Sequence, residues 1–258
     1  MKYYVVDAFT DRVFKGNPAG VCLAEKWPED SVMQQIAAEN RYSETAFVIR
    51  REGYYDLRWF TPLVEVGLCG HATLGTSYVI SNFVEPGARE MEFHTRSGNL
   101  KVECRDDLFL MNFPTWVPKP TAAPDGLAEA LGAKPLECAQ TRDLLVLLES
   151  EDTVRDLKPD FEKIARLGVP DGVIVTAKGK TADFVSRSFF PNLGVPEDPV
   201  CGSAHCSLTP FWAEKLGKDR MEAYQLSERG GALSCALLGD RVEVGGKAAL
   251  YLSGEITV

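Results

Sequence analysis

The chain has 258 residues, with 28 Lys and Arg against 37 Asp and Glu, for a formal net charge of −9. Hydrophobic residues make up 45% and charged residues 25%, ordinary globular proportions with enough chain for one large core or two modest ones. The acidic balance lacks the clustered Lys and Arg that a phosphate backbone needs, and no apolar run reaches the roughly 18 to 20 residues of a membrane span, so neither nucleic acid nor membrane is an expected partner.

The N-terminal run Met1 to Phe9 carries Asp7 where an export signal needs continuous apolar residues, and it reads as a first strand. Further strands are predicted at Ala19 to Leu23, Thr45 to Ile49, Tyr55 to Phe60, Leu100 to Cys104 and Phe109 to Phe113, from their β-branched and aromatic content. A helix from about Glu29 to Asn40 places Val32 and Ile36 on one face. The segment after Cys69 and Gly70 differs, because Ala72, Leu74, Tyr78, Val79 and Ile80 leave it almost no polar side. A helix apolar all round must be enclosed, and with strands in the majority the enclosure is a curled sheet. The seven cysteines (22, 69, 104, 138, 201, 206 and 235) are odd in number and follow no export signal, which predicts reduced thiols and a cytoplasmic location.

The chain also contains itself twice. Asp56 to Pro62 followed by Cys69, Gly70 and His71 matches Asp183 to Pro191 followed by Cys201, Gly202 and Ser203. Arg96 to Leu100 matches Arg229 to Leu233, and the helix opened by Pro28 matches a stretch from Pro159 to about Leu167. These matches keep their order while the offset drifts only from 127 to 133 residues. That predicts an α+β chain of two similar domains, each a mostly antiparallel sheet curled around a central helix. Residues 1–116 form the first domain and 117–258 the duplicated second, with the last strand able to cross back to the first. The Pro-rich stretch Pro114 to Pro124 reads as the connector. In the second copy Pro210 should kink or split the central helix.

Each half delivers Cys-Gly where a loop enters its central helix. The first N–H groups of a helix lack an internal partner, the helix dipole adds positive potential, and glycine admits a ligand close to the backbone. Gly70 and Gly202 are therefore candidates for binding a substrate carboxylate, with Cys69 and Cys201 beside them. Zinc is the competing reading for Cys69, His71, Cys201 and His205. Yet Cys-x-His and Cys-x-x-x-His are not the usual spacings of structural zinc sites, so no metal is expected. No phosphate-cradling glycine pattern is present either, so no cofactor is expected.

Asp7-Ala-Phe-Thr10, Gly16-Asn-Pro-Ala-Gly20, Ser43-Glu-Thr-Ala-Phe-Val48, Arg58-Trp-Phe-Thr-Pro62, Leu68-Cys-Gly-His-Ala-Thr-Leu-Gly75 and Glu197-Asp-Pro-Val-Cys-Gly-Ser-Ala-His205 together resemble the PhzF family of phenazine-biosynthesis isomerases. The likeness runs from residue 7 to about residue 212, followed by strands to the C-terminus. It implies the diaminopimelate-epimerase-like fold of two sheet-wrapped helices, with the substrate between the domains. It further implies a cofactor-independent isomerase acting on a small carboxylate, with Glu44 moving the proton and His71, Asp198 and Ser203 lining the site. Glu44 precedes an apolar strand, an environment that lifts a carboxylate toward the range of a general base. Two alternatives stay open. In the racemases and epimerases of similar fold, paired thiols act as the bases, and this chain has both Cys69 and Cys201; a cleft that binds a metabolite without turnover is the other. A homodimer is compatible with the sequence, which fixes no interface.

Overall fold

A computed structural model describes residues 1–258 and divides them into two compact units. The first comprises Met1–Asn112 and Gly245–Val258, the second Phe113–Val244. No helix is long and apolar enough to cross a membrane.

The first unit runs β1 (Lys2–Ala8), β2 (Asn17–Leu23), α1 (Asp30–Asn40), β3 (Thr45–Arg50), β4 (Tyr55–Phe60), β5 (Glu65–Val66), α2 (Gly70–Val79), β6 (Glu90–Thr95), β7 (Gly98–Arg105) and most of β8 (Leu108–Pro114). The second contains β9 (Lys119–Pro120), α3 (Leu127–Leu131), β10 (Glu137–Gln140), β11 (Leu144–Leu147), α4 (Glu151–Asp156), α5 (Phe161–Ala165), β12 (Val173–Lys178), β13 (Phe184–Phe190), β14 (Val195–Asp198), α6 (His205–Leu216), β15 (Arg220–Gln225), β16 (Gly231–Leu238) and most of β17 (Arg241–Gly246). Strand β18 (Ala248–Glu255) then pairs antiparallel with β1.

Strand pairing confirms the duplication. In the first unit β1–β2 is antiparallel, β2–β3 parallel, β3–β4 and β4–β5 antiparallel, β4–β6 parallel and β6–β7 antiparallel. The second unit repeats that series with β10–β11, β11–β12, β12–β13, β13–β14, β13–β15 and β15–β16. Both sheets are thus mixed but mostly antiparallel, in an α+β architecture.

Helix α2 is enclosed for a chemical reason that its residues supply. Eight of its ten residues are buried, including Thr73, Thr76 and Ser77. Their hydroxyls donate to the carbonyls four residues back, at 2.6, 2.7 and 2.9 Å, so the helix hides its own polar atoms. Gly75 lies over Val6 and Ala19, bringing the backbone close to β1 and β2. The other face of the same strands is covered by α1, where Met33, Ile36 and Ala37 pack on Tyr3, Val5, Cys22, Phe47 and Phe60. Strands covered on both sides bury every residue, as β1 does after Lys2, and so read as continuous apolar runs. In the second unit three short helices, α3 to α5, take the covering role of α1.

Two features differ from the sequence expectation. Helix α6 is not split: it runs from His205 to Leu216 through Pro210. A proline at that position removes the N–H that would have bonded the Cys206 carbonyl, and the Trp116 N–H fills the vacancy at 3.1 Å. The Pro-rich stretch is accordingly anchored as well as connecting. Helix α2 ends in a π-helical turn over Ile80–Val84, closed by the Glu85 N–H on the Ile80 carbonyl.

Candidate active site

The predicted site residues fall into two sets, one in each unit. In the first, α1 ends at Arg41 in the left-handed conformation, and three residues later Glu44 stands at the entrance to β3. Strand β3 lies between β2 and β4, with α2 packed over this part of the sheet, so Glu44 meets the first turn of α2. The Glu44 Oε2 atom is 3.3 Å from His71 Nε2, and the Cys69 Sγ atom is 3.5 Å from His71 Nδ1. Glu44, Cys69 and His71 each offer one ligand atom, and these atoms lie within 4.8 Å of one another. Gly70 is the first helical residue, directly after Cys69.

His71 is buried, and that burial pushes its imidazole from 6.5 down to about 3. The ring is neutral at ordinary pH, so its 3.3 Å approach to Glu44 is a contact of a neutral ring with a carboxyl group rather than an ion pair. The side chain of Glu44 keeps 19% of its surface exposed, which leaves an approach from solvent.

In the second unit the turn from Asp198 to Ser203 is held by Gln225, a residue that sequence reasoning missed. Gln225 is fully buried at the end of β15. Its Oε1 accepts the Cys201 N–H at 2.9 Å, and its Nε2 donates to the Asp198 carbonyl at 2.6 Å. Ser227 adds a hydrogen bond to the Pro199 carbonyl at 2.6 Å. The Asp198 carboxylate accepts the Val200 N–H at 3.0 Å, but desolvation prevails and lifts it to about 6. The Cys201 thiol is pushed well above its ordinary range by burial and by Asp198 beside it. Arg142 reaches the Ser203 hydroxyl at 3.3 Å from the turn between β10 and β11. No local pattern announced Arg142, since its stretch reads as a polar turn.

The two Cys-Gly turns are therefore not copies in detail. Cys69 caps α2 directly, whereas Cys201 is separated from α6 by a turn in which His205, Cys206 and Ser207 donate to the carbonyls three residues back. His205 also parts company with the zinc set weighed from spacing. Its Nδ1 atom sits 2.8 Å from the Cys201 carbonyl oxygen, facing backbone rather than thiol. Glu44, just before β3, is the group that stands with Cys69 and His71 instead. A groove of about 430 Å³ between α1 and the C-terminal residues, lined by Val32, Ile36 and Val258 among others, contains none of the predicted site residues.

Other parts of the motif set are structural. Asp7 accepts the Phe14 N–H at 2.8 Å across the β1–β2 loop. Gly16 has φ of +62°, and a Cβ there would lie 2.1 Å from the Ala8 carbonyl oxygen, so only glycine closes that loop.

A sheet wound around an enclosed helix and built twice is an epimerase-like fold, and in it a carboxyl group and a neutral imidazole meet at one helix start. The profile of the family described as phenazine biosynthesis-like protein matches residues 6–254. The chain is 51% identical over 254 residues to an uncharacterized isomerase of Pseudomonas aeruginosa, covering 98% of this chain and 97% of that protein. A solved PhzF-family phenazine biosynthesis protein of Enterococcus faecalis superposes with a TM-score of 0.98 at 46% identity, over 100% of this chain and 99% of that one. At 11% identity, a hydroxyproline epimerase from Agrobacterium vitis shares the fold with a TM-score of 0.65, over 99% and 90% of the two chains. The chain belongs to the phenazine biosynthesis-like (PhzF) family and is an isomerase.

Proposed function

We propose that the chain isomerises a small carboxylate-bearing substrate by moving a proton, without a cofactor, and that Glu44 is the acid/base. The observation that carries this reading is the Glu44–His71 contact of 3.3 Å at the start of α2. A carboxylate takes the proton from a substrate carbon, the electron pair delocalises toward the neighbouring unsaturated or carboxyl group, and the proton returns to a second carbon of the same frame. The neutral His71 ring stands 3.3 Å from the Glu44 oxygen while adding no positive charge that would suppress its basicity. The N–H groups of the first turn of α2 have no partner within the helix and favour an anion, which suits a substrate carboxylate near Gly70.

The two-thiol alternative requires a thiolate at Cys201. Burial and Asp198 both oppose that charge, which favours the glutamate reading. We assign Asp198, Gly202 and Ser203 to substrate binding and orientation.

The test is solvent-deuterium incorporation during turnover, using unsaturated hydroxy and amino acids as candidate substrates. Glu44→Gln should keep the fold and lose incorporation, while Cys201→Ala retains it. A fully active Glu44→Gln with a dead Cys201→Ala would transfer the chemistry to the thiols. Tight binding with no exchange in the unaltered chain would leave binding without turnover.

A further inference from the structure

Cys69 and His71 at the head of α2, together with Glu44 at the entrance to β3, make a donor set that proton transfer alone does not require. A tetrahedral zinc ion with bonds of about 2.0 Å to nitrogen and oxygen and about 2.3 Å to sulfur sets an N···O edge of about 3.3 Å and an N···S edge of about 3.5 Å. The His71 Nε2 to Glu44 Oε2 separation is 3.3 Å, and Cys69 Sγ stands 3.9 Å from the same nitrogen. The thiol now stands nearer to Nδ1, at 3.5 Å, so reaching an ion on Nε2 takes a rotation of the Cys69 side chain that carries the sulfur more than about 1 Å outward. One thiol, one imidazole and one carboxylate favour zinc over magnesium or calcium, which take all-oxygen shells. Three protein ligands leave a fourth position, as in zinc sites that bind water or a substrate group.

One further observation bears on occupancy. The partly exposed Glu44 side chain marks the route by which an ion enters. The corresponding turn of the second unit lacks the set, because Cys201 has Ser203 at 3.4 Å where Cys69 has an imidazole. The duplication therefore supplies an internal control.

We propose that Glu44, Cys69 and His71 form a binding site for one soft divalent cation of zinc type, and that the bound ion blocks turnover by occupying the Glu44 carboxylate. The second part rests on the assignment of Glu44 as acid/base. Binding converts the Cys69 thiol to a metal thiolate and releases one proton to solvent, with no change of oxidation state.

Cobalt(II) added to the metal-stripped intact chain reads the site directly. The expected result is one ion per chain, with a thiolate-to-cobalt charge-transfer band and the intense visible bands of tetrahedral cobalt. Cys69→Ser should abolish the charge-transfer band, Glu44→Gln should weaken binding at least about tenfold, and Cys201→Ser should leave both unchanged. Zinc should displace the cobalt and stop deuterium incorporation, and a chelator should restore it. Absence of the band, or a band that survives in Cys69→Ser and vanishes in Cys201→Ser, overturns the site. A band at Cys69 with undiminished exchange overturns the block. Failure of the Glu44 assignment shows separately, as exchange by metal-free Glu44→Gln.

Discussion

Arg58 grips Glu65 through two parallel hydrogen bonds of 2.8 and 2.7 Å, and the same fork recurs 129 residues later, where Arg187 grips Glu197 at 2.7 and 2.9 Å. Each glutamate stands four residues before the cysteine of a Cys-Gly turn. The pair therefore ties the strand that feeds each turn, β5 or β14, to the neighbouring long strand. Arg187 also donates to the carbonyls of Val154, Arg155 and Leu157, so its guanidinium joins α4 to the sheet.

Both ends of these forks are largely buried, with side-chain exposures of 11% and 14% in the first pair and 10% and 19% in the second. Removing one partner leaves a poorly solvated charge, which costs about 3 kcal/mol or more. Arg187→Leu should lose at least that much stability in urea unfolding, more than Arg58→Leu, which strands no backbone carbonyls. A loss below about 1 kcal/mol for Arg187→Leu would show the fork to be dispensable.

These pairs also mark what the sequence discloses. The arginines are visible as matching letters of the repeat, and β4 spans Tyr55–Phe60 as its composition predicts. The enclosed helix and the grouping of Glu44 with His71 follow from apolar pattern and motif. Gln225 and Arg142 were hidden because they act 24 and 61 residues from their partners Cys201 and Ser203, and neither leaves a periodic trace. The start of α6 was misplaced by the tight turn after Gly202, where backbone bonds to the third residue back replace the α-helical pattern. The split at Pro210 failed as an expectation because the compensating donor, Trp116, lies some 90 residues away in sequence, a separation no local window covers.

That compensation makes the proline nearly neutral. Replacing an interior helical proline by alanine ordinarily gains about 3 kcal/mol. Here the restored N–H would find the Cys206 carbonyl already engaged by Trp116, so Pro210→Ala should change stability by less than about 1 kcal/mol. Trp116→Pro removes the donor and should cost about 1 to 3 kcal/mol, while Trp116→Phe keeps it and separates that loss from the ring's stacking on Arg142. A large gain in Pro210→Ala would refute the compensation.

Acid sensitivity follows from two histidines. Burial lowers His71 from 6.5 to about 3 and His205 from 6.5 to about 4. The unfolded chain therefore takes up protons first as the pH falls below about 6.5, and each histidine's contribution to stability declines from there toward its folded value. Asp198, raised from 3.8 to about 6, acts in the opposite sense by binding a proton in the folded chain between those two values. Asp143 and Glu222, also raised by burial, act with Asp198, so the histidine contribution from pH 6.5 to about 4 is read by comparing the wild type with a histidine variant. The wild-type loss over that interval, measured by urea unfolding, should exceed that of His205→Gln. Equal losses would mean that His205 is not held neutral.

Gln225 bears on the second turn through geometry alone. Its carbonyl oxygen faces the Cys201 N–H and its amide nitrogen faces the Asp198 carbonyl, an arrangement that uses the donor and the acceptor of one buried side chain. Gln225→Leu leaves both backbone groups unsatisfied and should cost about 2 kcal/mol or more. Gln225→Glu keeps the shape and the acceptor but sets a carboxylate oxygen against the Asp198 carbonyl. It should destabilise most at neutral pH and recover as the new carboxyl group protonates, a reversal that a merely space-filling role would not produce. If the turn positions substrate through Ser203, both variants should raise KM more than they lower kcat. An unchanged KM in a stable Gln225→Leu protein would confine this glutamine to holding the fold.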